Sequence, residues 1–195
     1  MNTARNIFAK VKRSVTQEEP RIKLLRKLPK KAIGAEIGVW KGGFSSKIIE
    51  ITVPKELHLI DPWLFQSEFS ERMYGGKVAK KQEDMDEIYQ AVRDQFKDNT
   101  RVVIHRGFSE AVLAEFEDNY LDWVYIDGNH YYEYVCKDLE LSFFKVKSGG
   151  IIAGDDYTWG AKNGFPVAKA VQDFVKEKKL ENKLEIISSQ FIIRR

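Results

Sequence analysis

The residues with the clearest chemical meaning in this chain are acids that sit in, or close, short apolar runs. Glu36 lies in Ala35-Glu-Ile-Gly-Val-Trp-Lys-Gly-Gly43, which reads as a strand, a glycine turn and a helix opening at Phe44-Ser45-Ser46. Asp61 closes the next apolar run. Strand, glycine turn and helix make a nucleotide-binding unit, with the second acid placed to hold a ribose. The spacing Glu36-x-Gly38-x-x-x-Gly42 departs from G-x-G-x-x-G, and Glu36 stands where a pyrophosphate would be repelled. A ligand with an ammonium and a carboxylate in place of phosphates suits the turn better, and S-adenosylmethionine is such a ligand.

Two later runs end in further acids. Leu121–Ile126 leads into Asp127-Gly-Asn-His130, and Gly150–Ala153 leads into Gly154-Asp155-Asp156-Tyr157. If these runs are neighbouring strands, Asp127, Asp155 and Asp156 emerge together at one edge of a sheet. Carboxylates crowded in a partly buried cleft repel one another unless a cation compensates. An all-oxygen set favours a hard divalent ion, Mg²⁺ above all, with positions left for water or substrate. The plainer reading is that Asp155 or Asp156 caps a turn or the next helix. His130 is placed either as a general base or as a loop histidine that orients the acids. His58 and His105 fall inside apolar runs and are expected to be structural.

These residues need strands and helices in alternation to position them. Strands are expected at Ala32–Ile37, Glu56–Ile60, Arg101–His105, Leu121–Ile126 and Gly150–Ala153. Helices are expected at Phe44–Ile51, 84–97, Ala111–Phe116, Tyr132–Phe144 and Val167–Val175. Leu184–Ile187 and Phe191–Ile193, separated by Ser188-Ser189-Gln190, form a closing antiparallel pair. The alternation implies an α/β fold: a doubly wound, mostly parallel, Rossmann-like sheet with helices on both faces and its ligand outside the carboxyl ends of the strands. Residues 62–83 are a long irregular connection carrying Trp63, Leu64, Phe65, Phe69, Met73 and Tyr74, and serve as an anchor on the core or as a substrate lid.

The 195 residues suffice for one domain, and 43% apolar with 31% charged is a globular composition. No apolar run is long enough to span a bilayer, and the N-terminus lacks the pattern of a signal peptide. The expected compartment is cytoplasmic. The single cysteine, Cys136, excludes an intramolecular disulfide and a cysteine-based zinc site. Residues 1–31 hold ten Lys or Arg against two Glu, so the net charge of +3 conceals a basic N-terminal arm and an acidic remainder. Within that arm Ile7, Phe8, Val11 and Val15 recur at helical spacing, and Leu24, Leu25 and Leu28 form a second apolar face. Either the arm packs one face on the domain, or it touches an anionic membrane surface or an acidic carrier. Nucleic acid is disfavoured, since no aromatics interleave the charge. We therefore expect an arm at 1–31 and one domain at 32–195, with homo-oligomers left open.

Four blocks together, AEIGVWKGG, HLIDPW, DWVYIDGNHYYEYVCKDL and GGIIAGDDY, resemble the class I S-adenosylmethionine-dependent methyltransferases over about residues 32–180. Within that class the chain is most similar to small, metal-dependent O-methyltransferases of macrolide-sugar and catechol type. The resemblance implies that Glu36, Gly38, Trp40, Gly42 and Ser45 surround the methionine moiety, that Asp61 holds the ribose, that Ser109 lies beside the adenine, and that Asp127 borders the cofactor. It also implies Mg²⁺ on Asp127, Asp155 and Asp156. Asp127 and His130 are the catalytic candidates by their position, and a bound Mg²⁺ suits a small-molecule acceptor with two neighbouring oxygens, such as a glycoside or vicinal diol, though the family does not fix the acceptor. The chain departs from catechol-type relatives in having His130, and no lysine before Lys137, after its first metal aspartate. The alternatives from other classes are a nicotinamide-dependent oxidoreductase, disfavoured by Glu36 and the missing third glycine, and a non-catalytic cofactor-binding protein, disfavoured by the aspartate cluster.

Overall fold

A computed structural model describes residues 19–195. In chain order the strands are β1 (Ile33–Ile37), β2 (Glu56–Asp61), β3 (Val102–Arg106), β4 (Leu121–Ile126), β5 (Val146–Gly154), β6 (Leu184–Ile187) and β7 (Gln190–Arg194). The helices are α1 (Pro20–Leu25), α2 (Gly43–Thr52), α3 (Gln82–Phe96), α4 (Ser109–Ala114), α5 (Tyr132–Lys145) and α6 (Pro166–Glu177). The strands form one sheet of order β3-β2-β1-β4-β5-β7-β6. β1 to β5 run parallel, and β7 lies antiparallel to both β5 and β6. The expected architecture is therefore the observed one, including the closing antiparallel pair.

Side-chain alternation along the strands divides the core into two layers. On β4, Trp123 and Tyr125 pack with Leu24, Leu25, Ile48, Met85 and Val92 of α1, α2 and α3. Val124 and Ile126 point to the other face and pack with Leu113, Leu139, Val171 and Phe174 of α4, α5 and α6. Burial on both faces explains why β4 reads as a continuous apolar run. The strand that differs most from expectation is β5, which begins at Val146. Ser148-Gly149-Gly150 reads as a break in sequence, but Val146 pairs with Leu121 across a register shift and carries the strand through it.

Of the basic segment expected as an arm, residues 1–18, with Ile7, Phe8, Val11 and Val15, lie outside the described residues. The part that is described is integrated in the fold. Pro20 sits in the first turn of α1, where its missing N–H costs nothing. Leu24 and Leu25 are fully buried, and the helix packs on α2, β6 and β7. Among the described residues no helix is long and apolar enough to cross a membrane. His58 and His105 do pair structurally across β2 and β3: His58 Nδ1 lies 2.9 Å from His105 Nε2, and His58 Nε2 lies 2.8 Å from Glu56 Oε1. Cys136 is half-buried against the α4–α6 layer.

Leu24→Ala should lower the unfolding free energy by about 2–5 kcal/mol in a urea titration, the usual cost of a cavity left by a buried leucine. A loosely attached arm would instead give a change within about 0.5 kcal/mol.

Candidate active site

Register sets the site. Ile37 pairs with Ile60 and with Ile126, and Ile126 pairs with Gly154, so the segments that follow β1, β2, β4 and β5 leave the sheet at the same edge. Strand order reverses direction between β1 and β4, the point where such sheets open a ligand crevice. There the backbone is tight. Gly38 has φ +89, and a Cβ on it would stand 2.1 Å from the carbonyl oxygen of Asp127, so only glycine lets the two loops approach. Gly42, also at positive φ, precedes the first residue of α2.

Asp61 holds this turn together. Its Oδ2 accepts the N–H groups of Val39 and Trp40, both at 3.0 Å, and its Oδ1 accepts that of Trp63 at 2.8 Å. Burial pushes its carboxyl up from the ordinary value, against the pull of these three donors. Glu36 projects toward the α1–α3 layer, 1% exposed, and accepts the hydroxyl of Ser45 at 2.5 Å. Burial raises its carboxyl to about 8, only partly opposed by Ser45.

The second acidic group meets at the ends of β4 and β5. Asp127, His130 and Asp156 present ligand atoms that all lie within 4.8 Å of one another. His130 Nε2 is 3.2 Å from Asp156 Oδ2 and 3.5 Å from Asp127 Oδ1, yet neither ring nitrogen has a directed hydrogen bond among the described residues. Asp156 adopts φ +58, a left-handed conformation that Asp tolerates better than most residues. Asp155, expected as the third metal carboxylate, is placed differently. It is buried and engaged by Arg21 and by the Gln190 side-chain amide, and it accepts the Asp156 N–H at 2.7 Å. Arg21 also reaches Asp127 at 3.0 Å and lies 4.9 Å over the Phe44 ring. Burial alone would lower the Arg21 pKa, but Asp127 and Asp155 outweigh it and hold the guanidinium charged. The structure thus gathers Asp127 and Asp156 with His130, and gives Asp155 to an arginine.

Both groups line one cavity of about 580 Å³. Its wall includes Glu36, Gly38, Trp40, Asp61, Ser109, Asp127, His130 and Asp156, whereas Gly42, Ser45 and Asp155 stand behind it. Ser109, the first residue of α4, donates its hydroxyl to Asp138 Oδ1 at 2.5 Å. Asp138 is 4% exposed, lines the cavity, and is pushed up to about 7 by burial. Sequence reasoning missed Asp138 and Arg21. The signal for Asp138 was an acid on the buried face of α5, beside Val135, Leu139 and Ser142. Arg21 had none, since it lies in a segment read for its charge. The 62–83 connection is both anchor and wall: Trp63 is fully buried with its indole N–H on the Trp40 carbonyl at 2.9 Å, while Leu64, Arg72, Met73, Tyr74 and Lys77 face the cavity.

A family model described as a methyltransferase domain matches residues 35–157, the stretch that carries every strand end described above. The chain belongs to this family. Among curated proteins none matches it. Solved methyltransferase structures share its fold. The O-methyltransferase NovP is 17% identical with a TM-score of 0.61, over 90% of this chain and 79% of NovP. SMU.1697c of Streptococcus mutans, solved in complex with SAH, is 13% identical with a TM-score of 0.59, over 91% of this chain and 98% of that one. MycE from the mycinamycin biosynthetic pathway, solved with Mg, SAH and mycinamycin VI, is 14% identical with a TM-score of 0.56, over 85% of this chain and 45% of MycE. At these identities the likeness is one of fold. The family match favours methyl transfer over the nicotinamide-dependent alternative.

In this methyltransferase the buried Glu36 makes stability depend on pH. With its carboxyl raised from 4.5 to about 8, the native state keeps a proton that the unfolded chain releases. The resulting stability is fully present below the unfolded pKa and is lost as pH rises through about 8. Glu36→Gln accepts the same Ser45 hydrogen bond but cannot ionise. In urea titrations at about pH 5 and about pH 9, the variant should therefore gain on the wild type at the higher pH. A constant difference across that interval would show that Glu36 does not titrate there.

Proposed function

We propose that this chain transfers the methyl group of S-adenosylmethionine to a hydroxyl oxygen of a small-molecule acceptor, assisted by a divalent cation, Mg²⁺ or a near equivalent. One observation carries the reading. A buried, proton-holding Glu36 and a basic-nitrogen and carboxylate cluster, Asp127, His130 and Asp156, open onto the same cavity.

The residues fit the cofactor. Glu36 is hydrogen-bonded only to Ser45 among the described residues and suits an ammonium group, which would draw its proton off. Gly38, Trp40 and Gly42 bend the chain around the methionine end, with Ser45 orienting Glu36. Three of the roughly four lone-pair sites on the Asp61 carboxylate are taken by backbone N–H groups, which leaves about one for a ribose hydroxyl. Ser109, held by Asp138, is placed for the adenine. When bound, the sulfonium supplies an electrophilic methyl group and keeps the S–CH₃ electron pair on sulfur.

The donor set fits a cation as well. Asp127 and Asp156 would hold it through carboxylate oxygens, with water and acceptor oxygens completing the shell of Mg²⁺ or Mn²⁺, which leaves His130 free to act as a base. When bound, it lowers the pKa of an acceptor hydroxyl and fixes its position. Arg21 contributes one positive charge to Asp127 and Asp155, so Asp155 shapes the field without being needed as a ligand. His130 Nε2 is the atom that receives the acceptor proton, and Asp127 and Asp156 stabilise the imidazolium that results. The acceptor class that suits such a site is a vicinal diol on a sugar or an aromatic ring.

Isotopically methyl-labelled cofactor, cell extract and metal, followed by mass spectrometry, test the reading directly. Labelled product should vanish with chelator and return with Mg²⁺ or Mn²⁺. Asp156→Asn should lose activity while keeping most of its affinity for the demethylated cofactor in calorimetry. Full labelling in excess chelator would leave methyl transfer standing and remove the metal.

His130→Gln should lower turnover by roughly 10²–10⁴-fold with an unchanged thermal melt, the range for a lost general base. Near wild-type turnover would assign deprotonation to other groups.

A further inference from the structure

The part of the cavity wall contributed by the 62–83 connection contains two polar groups that the methyl-transfer chemistry does not use. Two short 3-10 turns, Ser67–Phe69 and Met73–Gly75, fold this connection back on itself. They close tightly, since a Cβ on Gly75 would stand 1.9 Å from the Phe69 carbonyl oxygen. Between the turns, Arg72 extends across loops from elsewhere in the chain. Its guanidinium carbon is 4.1 Å from the centroid of Trp159 and 5.0 Å from that of Tyr131. Flanked by two rings, the planar group has little freedom to swing into solvent.

Arg72 is a permanent cation with no carboxylate paired to it among the described residues. Its Nη2 is buried and has no hydrogen-bond partner among the described residues. Among the described residues the ion pairs of the acidic corner involve Arg21 and His130, and none involves Arg72. Two residues on, the Tyr74 hydroxyl is also buried and also without a partner among the described residues. Both residues line the cavity. Phe69 fixes the wall they belong to, with ring centroids 6.1 Å from Tyr74, 5.6 Å from Tyr131 and 6.1 Å from Tyr134. Burial raises Tyr74 to about 12, so its hydroxyl stays a donor.

Buried donors are ordinarily satisfied, and a charged one left alone is among the costliest groups in a protein. Two such donors in one cavity, one of them a guanidinium, call for an acceptor with negative charge and more than one oxygen. The position matches an acceptor subsite, because Trp159, which stacks on Arg72, also packs against His130 at 5.5 Å between ring centroids. We propose that Arg72 and Tyr74 form an anion subsite that selects an acceptor carrying a carboxylate or phosphate, with its hydroxyl turned toward His130. The role of the subsite rests on the methyl-transfer reading; its affinity for an anion does not.

The test uses matched pairs that differ only in the anion: protocatechuate against catechol for a carboxylate, and phenyl phosphate against phenol for a phosphate. Binding is measured by ligand-observed NMR and calorimetry on the full chain, with and without S-adenosylhomocysteine. At least one anionic member should bind roughly ten- to a hundredfold tighter than its neutral partner, and whichever pair shows the larger ratio identifies the anion. Arg72→Gln should reduce that ratio to about twofold or less, and Tyr74→Phe should reduce it in part. Arg72→Lys, which keeps the charge but not the fork, should retain some of it. S-adenosylhomocysteine affinity should stay unchanged in all three variants, and no thermal melt should fall, because each loses a donor that is unsatisfied in the free protein. Equal or absent binding of the anionic members to the wild type overturns the subsite, as does an anion preference that survives Arg72→Gln. Anion selectivity in a chain with no affinity for S-adenosylhomocysteine would overturn methyl transfer and leave the subsite in place.

Discussion

The constraint on which this structure turns is the burial of acids at one edge of a sheet. Glu36, Asp61, Asp127, Asp138, Asp155 and Asp156 all stand at or near the carboxyl ends of parallel strands, and each must be compensated or protonated. The chain uses a different device for nearly every one. Backbone N–H groups of the glycine turn serve Asp61, hydroxyls serve Glu36 and Asp138, and a guanidinium serves Asp127 and Asp155. Only Asp156 and the neighbouring His130 are left looking at each other. Of these acids, Asp156 is the one that faces the cavity with no donor but His130 beside it among the described residues.

Those devices explain the placement of elements that otherwise look peripheral. α1 brings Arg21 to the corner while its leucines seal the α1–α3 layer. β7 delivers Gln190, whose amide contacts Asp155 while its carbonyl oxygen accepts the Tyr125 hydroxyl at 2.7 Å. A network of this kind, Tyr125–Gln190–Asp155–Arg21–Asp127, ties three strands and a helix to one charge balance. It also anchors the loops that follow β4 and β5 to the strands and helix beside them.

Much of this was legible in the sequence, for physical reasons that differ between elements. β4 was readable because burial on both faces makes an unbroken apolar run, and α3 and α6 because one buried face makes a helical stripe. The acids at strand ends were readable because a parallel sheet collects its ligands at a single edge. Asp155 was not, since its sequence neighbours do not tell which of two adjacent carboxylates an arginine more than a hundred residues upstream will take. Arg21 and Gln190 come from opposite ends of the chain and acquire meaning only in three dimensions. The start of β5 was hidden by glycines that usually end strands, here carried through by pairing with Leu121. Arg72 sat in an irregular stretch whose aromatics were visible but whose stacking partners, Tyr131 and Trp159, were not.

The position of β7 bears on how the molecule comes into being. Residues 190–194 slot between β5 and β6, so every earlier element can be laid down before the strand that completes the sheet exists. Until then β5 presents an unpaired edge, the kind of surface that recruits foreign strands. During vectorial synthesis the charge network around Asp155 is likewise open, because Gln190 has yet to leave the ribosome. A nascent chain halted before Gln190 would have its glycine turn and both aspartate loops in hand, yet would carry an adhesive edge and an unbalanced corner. Docking of β7 thus closes the β5 edge and the Asp155 corner in a single step.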